Sequence, residues 1–193
     1  MNVELMNEEA VRHAYKYIIE TAGRTCYNKE CTGDEDFIRR LIKSGHESVI
    51  EHGVATFWIN GISRACSHQL VRHRLASYSQ RSQRYVNESE ADYVTPPEIQ
   101  KDDYRRMVYT NFMNRAWEVY GQLLGTGVPK EDARYVLPNA CTTEIVMTMN
   151  FRELRHFLKL RLAKNAQWEI QTLAKIIRDI MLGVAPAIVE DLC

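Results

Sequence analysis

Five arginines without a counter-ion mark residues 53–86: Arg64, Arg72, Arg74, Arg81 and Arg84 fall there, and no Asp, Glu or Lys does. Such charge needs an anion from elsewhere. Arginine alone, unmixed with lysine, favours flat, forked recognition of phosphate or carboxylate over a point charge. The densest part is QLVRHRLASYSQRSQRY, Gln69 to Tyr85. A helix capped by Ser63 and containing Ala65, Cys66, Gln69, Leu70 and His73 places Gln69 on the turn next to Arg72 or His73. Beyond Arg74 the helical pattern fails. Extended backbone would then put Gln80, Ser82 and Arg84 on one side and Arg81 and Gln83 on the other. A polar row of this kind is poor core material and reads as a binding edge.

A second signal follows Asn150. At about 100° per residue, Leu154, Phe157, Leu158, Leu160 and Leu162 define one apolar arc, with Arg161 near its middle and Asn150 close beside it. An unpaired internal charge costs several kcal/mol, so either a carboxylate or a ligand must meet Arg161. His156 points away from that arc.

The elements that must position these groups follow from periodicity. Val11, Ala14, Tyr15, Ile18, Ile19 and Ala22 predict a helix over 8–22, capped by Asn7 and stopped by Gly23. Phe37, Ile38, Leu41 and Ile42 predict another over 34–44. Residues 54–60 and 142–149 read as buried strands, with Ile145, Met147 and Met149 on one face. A long helix over 102–124 is expected to turn Tyr104, Val108, Phe112, Ala116, Val119 and Leu123 inward. Pro129 opens a short helix that Pro138 ends. Helices over 151–165 and 167–182 complete the chain, the second with the stripe Ile170, Leu173, Ala174, Ile177 and Met181. The expectation is one α+β domain over 1–193.

Twenty-five basic residues balance 25 acidic ones, so the molecule as a whole is not an electrostatic glove for nucleic acid or membrane. Arginine beside Tyr78 and Tyr85 would also suit a single-stranded nucleic acid, the alternative to a small anionic ligand. The five cysteines (Cys26, Cys31, Cys66, Cys141 and Cys193) lack paired spacing and read as reduced thiols. His46, His52, Cys66 and His68 lack metal-ligand spacing, and no metal site is expected. The acidic start MNVELMNEE has no apolar core of a signal peptide, and no apolar run reaches bilayer length. A cytoplasmic, soluble protein is expected.

Arg72-His73-Arg74, seven residues and then Ser82 form RHRx7S, the pattern of the flavin-dependent thymidylate synthases. HESVIEH precedes it, and RYVLP (134–138), Asn150-Phe151-Arg152 and LRLAKNAQWEIQ (160–171) follow in the family's order, so the resemblance covers most of the chain. It implies a homotetramer with an α+β fold, a central mostly antiparallel sheet flanked by long helices, and FAD lying between subunits. The implied reaction methylates dUMP to dTMP with methylenetetrahydrofolate as carbon donor and NADPH-reduced FAD as hydride source, without an enzyme nucleophile. It places His46, Ser48, Arg72, His73, Arg74, Gln80, Asn150, Phe151, Arg152 and His156 at FAD. It places Gln69, Leu70, Val71, Arg72, Gln80, Arg81, Ser82, Gln83, Arg84 and Arg134 at dUMP, and Arg161 against the uracil as the catalytic group. Gln80 and His156 depart from members that carry Glu and Asn there. The implied partners are dUMP, the folate and further copies of this chain, with neither nucleic acid nor membrane.

Overall fold

The computed structural model describes residues 1–192; Cys193 lies outside the described residues. Strand β1 (Asn2–Leu5) leads into α1 (Glu8–His13), a π-helical segment (Ala14–Ile18) and α2 (Ile19–Thr25). Then come α3 (Glu35–Lys43), a 3-10 segment (Glu47–His52), β2 (Val54–Ser63), α4 (Arg64–Leu70) and β3 (Ala76–Gln80). α5 (Pro97–Gln100), α6 (Asp103–Gly125), α7 (Lys130–Ala133) and a 3-10 turn (Arg134–Val136) follow. The chain continues through β4 (Thr142–Asn150), α8 (Phe151–Arg161), α9 (Trp168–Val184) and α10 (Pro186–Val189). This is an α+β structure whose described residues form a four-stranded antiparallel sheet in the order β1-β2-β4-β3.

The contacts gather into two compact units. The first holds residues 1–59, 69–79 and those from Val146 onward; the second holds 60–68 and 80–145. In the first, α9 packs on α8 and α10, and α3 on α2 and α10. Met147 and Met149 are buried as the strand alternation predicts, and the expected stripe of α9 is buried throughout. In the second, α6 packs against α5 and α7, and Ile145 is buried.

Several local expectations are corrected. Asn7 makes no side-chain cap; its amide instead donates to the Val54 carbonyl and accepts from Thr56 N, tying the helix start to β2. The helix runs past Gly23, whose hydrogen allows close packing, since a Cβ there would meet Leu41 Cδ1 and Phe37 at 2.9 Å. The π-helical segment shifts the helical frame, leaving Ile18 exposed. In α6 the buried residues are Met113, Ala116 and Tyr120, whereas Tyr104, Val108 and Phe112 are exposed. α6 carries apolar residues nearly all round, so periodicity does not single out its covered face.

The loop between α2 and α3 is anchored by a buried carboxylate. Glu20 accepts from the backbone N–H of Thr32, Gly33 and Asp34 and from Thr32 Oγ1, and it pairs with Arg24. Burial acts to raise its pKa, yet the Thr32 N–H, the Cys31 thiol, Arg24 and the Gly33 N–H outweigh it and bring the pKa from 4.5 to about 2. A depressed carboxylate contributes stability above its unfolded pKa, and that contribution fades as pH falls from about 4.5 towards 2. Glu20→Gln would turn an amide N–H₂ towards these donors. We expect a loss of about 2 kcal/mol at neutral pH, a melting shift of roughly 4–8 °C. The difference from wild type should narrow in thermal melts below pH 3 if this carboxylate is the cause.

Candidate functional site

In the first unit the site grows from the end of α4. Helix α4 stops at Leu70, and the next turn is closed by Arg72 N donating to the Gln69 carbonyl and His73 N to that of Leu70. The Tyr78 hydroxyl donates to the carbonyls of Leu70 (2.9 Å) and His73 (3.0 Å), clamping the turn against β3. This turn sends His73 inward and leaves Arg72 and Arg74 exposed. His73 packs edge-on against Phe157, with ring centroids 5.1 Å apart. Burial, then the charge of Arg161 and the neighbouring His156, pushes its pKa down to about 4. His73 is therefore neutral at physiological pH.

α8 supplies the facing side. The Asn150 side chain caps it by accepting from Glu153 N at 2.9 Å. Phe151 is buried over Gly53, where a Cβ would come within 2.4 Å of its ring. Arg152 projects outward and pairs with Glu51 at 2.6 Å. At the far end, Arg161 Nε donates to His73 Nε2 at 3.1 Å and Nη2 donates to the Gln69 carbonyl at 3.3 Å. No carboxylate of the described residues pairs with Arg161, Arg72 or Arg74, and all three line one cavity of about 380 Å³ with His73 and His156. A second cavity, of about 620 Å³, shares Leu75, Glu153 and His156 with the first and extends to Asn150, Arg152 and Glu51. His156 and Arg161 thus border the same space, against the expectation that His156 faces elsewhere.

The buried arginine of α8 is Arg155, at 2 % exposure, while Arg161 is half-buried. Arg155 is held by Asp191, Glu47 and the Ile188 carbonyl. The covered part of α8 spans about 200° of its circumference, from Glu153 to Arg155, so charged residues form both borders. Arg161 lies mid-arc but in the last turn, where the cover thins. Leu160, expected in the arc, is half exposed.

In the second unit the segment after β3 departs from the extended reading. The strand ends at Gln80, whose amide donates to Ser67 Oγ at 2.9 Å and Thr143 Oγ1 at 3.2 Å. Arg81 N still bonds the Glu144 carbonyl, but Tyr85 N and Val86 N then fold back onto the Ser82 carbonyl. A turn replaces the alternating row. Its frame is internal: Arg81 Nη2 pairs with buried Glu88 at 3.0 Å, and Arg64 Nη1 donates to the Arg81 carbonyl at 3.5 Å. Gln83 reaches the Cys141 sulfur at 3.6 Å. Ser82 Oγ accepts from Arg84 N at 3.3 Å, and Arg84 pairs with Glu131 at 2.9 Å. Arg134 Nε donates to the Glu131 carbonyl at 3.0 Å. Two of the five arginines in the carboxylate-free window therefore find partners beyond it. Sequence reasoning weighed Tyr78 only as a nucleic-acid contact and passed over Glu88 and Glu153; of those two, only Glu153 carried a local sign, three places after the capping Asn150.

Leu70 contributes buried packing, Val71 is exposed beside Arg72, and His46 and Ser48 are exposed at the 3-10 segment that contacts α8. His73, Glu153 and His156 bring three donor atoms within 4.8 Å. Arg161 occupies the lone pair of His73 Nε2, which leaves the ring proton on Nδ1, facing Glu153 Oε1 at 3.3 Å. A cation would have to break that chain. No helix among the described residues is long and apolar enough to cross a membrane.

Comparison with known proteins completes the picture. The family model described as "Thymidylate synthase complementing protein" (Thy1) matches residues 10–187. A flavin-dependent thymidylate synthase of Geobacter sulfurreducens is 50% identical over 157 residues, covering 80% of this chain and 68% of that protein. One from Sulfolobus acidocaldarius is 46% identical over 183 residues, covering 93% and 70%. One from Clostridium tetani is 40% identical over 195 residues, covering 88% and 78%.

Proposed function

Because the chain belongs to the Thy1 family of flavin-dependent thymidylate synthases, we propose that it forms dTMP from dUMP, with methylenetetrahydrofolate as carbon donor and FAD reduced by NADPH as hydride source. The observation that carries this reading is the Arg161 guanidinium, fixed by His73 and the Gln69 carbonyl at a cavity wall with no carboxylate partner among the described residues. A fixed cation that stays protonated suits a uracil ring that gains negative charge at N3 and its carbonyl oxygens.

The donor set around the two cavities fits a flavin dinucleotide. Arg72 and Arg74, without a carboxylate partner among the described residues, offer their guanidinium groups to a pyrophosphate, and Leu75 and His156 offer contact for a flat ring. FAD would be held by His46, Ser48, Arg72, His73, Arg74, Asn150, Phe151, Arg152 and His156, with Gln80 as a neutral hydrogen-bonding contact. The flavin, when bound, supplies the redox chemistry and the protein positions it. dUMP would be held by Gln69, Leu70, Val71, Arg72, Gln80, Ser82, Arg84, Arg134 and Arg161, with the backbone of Arg81 to Gln83 as cradle. Arg84 is paired with Glu131, but both are about half exposed, and such a pair contributes only about 0–1 kcal/mol. A phosphate dianion offering charge-assisted bonds of roughly 1.5–3 kcal/mol can replace that partner.

No enzyme nucleophile is assigned. Cys66 and Cys141 are buried, and burial above all pushes the Cys141 thiol up to about 11, away from the reactive thiolate. We read residues 1–193 as one catalytic domain that assembles into a cytoplasmic homotetramer with shared sites.

An absorption spectrum tests the reading. Purified protein should be yellow, and its flavin bands should shift on addition of dUMP. A colourless preparation that takes up no added FAD would overturn it, and oligonucleotide binding with a steep salt dependence would put a nucleic-acid module in its place.

A further inference from the structure

We infer that Glu153 is a positioning residue for the pyrimidine: acting through the imidazole of His73, it aims the guanidinium of Arg161. This rests on the reading of Arg161 as the uracil contact. The argument is one of donors and acceptors. Arg161 Nε can only donate, so His73 Nε2, 3.1 Å away, must accept. The single proton of a neutral ring then sits on Nδ1 and is donated to Glu153 Oε1 at 3.3 Å. The chain runs one way, from guanidinium to imidazole to carboxylate.

Each link is fixed from outside. Glu153 is 6 % exposed, its backbone N–H is held by the Asn150 cap, and His73 is wedged edge-on against Phe157. Arg161 is pinned a second time, by Nη2 on the Gln69 carbonyl. A carboxylate this deep, with no Lys or Arg partner among the described residues, is costly to keep. Its hydrogen bond selects the tautomer that presents a lone pair to Arg161. Without it the ring can carry its proton on Nε2, where it would oppose the Nε–H of Arg161 and turn the guanidinium away. The neutral state of His73 agrees with this assignment, since its pKa is pushed down to about 4.

The test is a double-mutant cycle on the FAD-loaded enzyme, read by calorimetric dUMP affinity. Glu153→Ala should weaken dUMP binding about tenfold, and Glu153→Gln, whose amide oxygen still accepts from Nδ1–H, should recover most of it. In an Arg161→Ala background, Glu153→Ala should cost nothing further, because its effect passes through Arg161. Losses that add in full would mean a structural carboxylate and overturn the inference. Nitrogen-15 spectra of the flavin-free protein give a second, independent view. His73 should be the Nδ1–H tautomer in wild type and lose that preference in Glu153→Ala. If wild type bound no dUMP while the tautomer still followed Glu153, the nucleotide reading would fall and the alignment would stand. If dUMP bound and Glu153→Ala matched wild type in affinity and tautomer, the inference would fall and the nucleotide reading would stand.

Discussion

Arg161→Ala is expected to lower kcat/KM for dTMP formation by roughly 10²–10³, while the protein still folds and its melting temperature falls by at most roughly 4–8 °C. The two halves of that expectation come from different features. On the proposed role of Arg161, the loss of rate follows from removing a preorganised cation from the place where the uracil would develop charge. The retained fold follows from the position of Arg161, half-buried in the final turn of α8 and bonded to one imidazole and one carbonyl. Two such bonds contribute about 1 kcal/mol each, and neither leaves a buried counter-charge behind. Arg161→Lys separates charge from geometry: it keeps a cation but loses the Nε–H that meets His73 and the fork that spans to Gln69. Lysine should therefore fall between alanine and wild type. Steady-state kinetics beside a thermal melt decide the matter. Normal turnover by the alanine variant would remove Arg161 from the site, and loss of folding would make it a structural residue.

The parts of the molecule legible in the sequence are those fixed by local period. Strand β4 and the stripe of α9 follow from alternation and from 3.6-residue spacing, because one covered face imposes one pattern. The end of α4 was legible only to within a few residues: the helical pattern fails beyond Arg74, whereas the helix stops at Leu70 and Arg72–Arg74 already lie in the turn. What depends on tertiary neighbours was not legible. Nothing local says that Glu131 will meet Arg84, or that Glu88, just past the carboxylate-free window, will close on Arg81. The same limit explains the exchange of arginines in α8. The apolar residues of the sequence define an arc with Arg161 near its centre; the protein covers an arc of about the same width, shifted towards Arg155, and stops covering it at the helix end. Burial then falls on Arg155, whose partners Asp191 and Glu47 lie 36 and 108 residues away along the chain.

That position carries the second large effect: Arg155→Ala should destabilise the protein by about 3 kcal/mol or more, a melting-temperature drop of roughly 6–12 °C. The guanidinium is forked on Asp191, with Nη1 to Oδ1 at 2.6 Å and Nη2 to Oδ2 at 2.7 Å. It also meets the Ile188 carbonyl at 2.6 Å and Glu47 at 3.3 Å, tying α8 to α10, to Asp191 just beyond it and to the 3-10 segment Glu47–His52. Truncation strands that carbonyl and opens a void where the side-chain stem packed. Asp191 is about half exposed and can regain water, which holds the cost near the lower end of the range for broken buried pairs. Arg155→Met fills the void without restoring the bonds, so it should lose about half as much. The pH dependence identifies the pair. Hydrogen bonding to Arg155, followed by the opposing pull of burial and the charge of Arg155, leaves the Asp191 pKa below its usual 3.8. Its contribution is complete above that value and fades as pH falls below it, so urea unfolding should show the wild-type advantage at pH 7 shrinking towards pH 3. A gap that stayed constant with pH would assign the stability to packing of the arginine stem, with the Asp191 pair contributing nothing measurable.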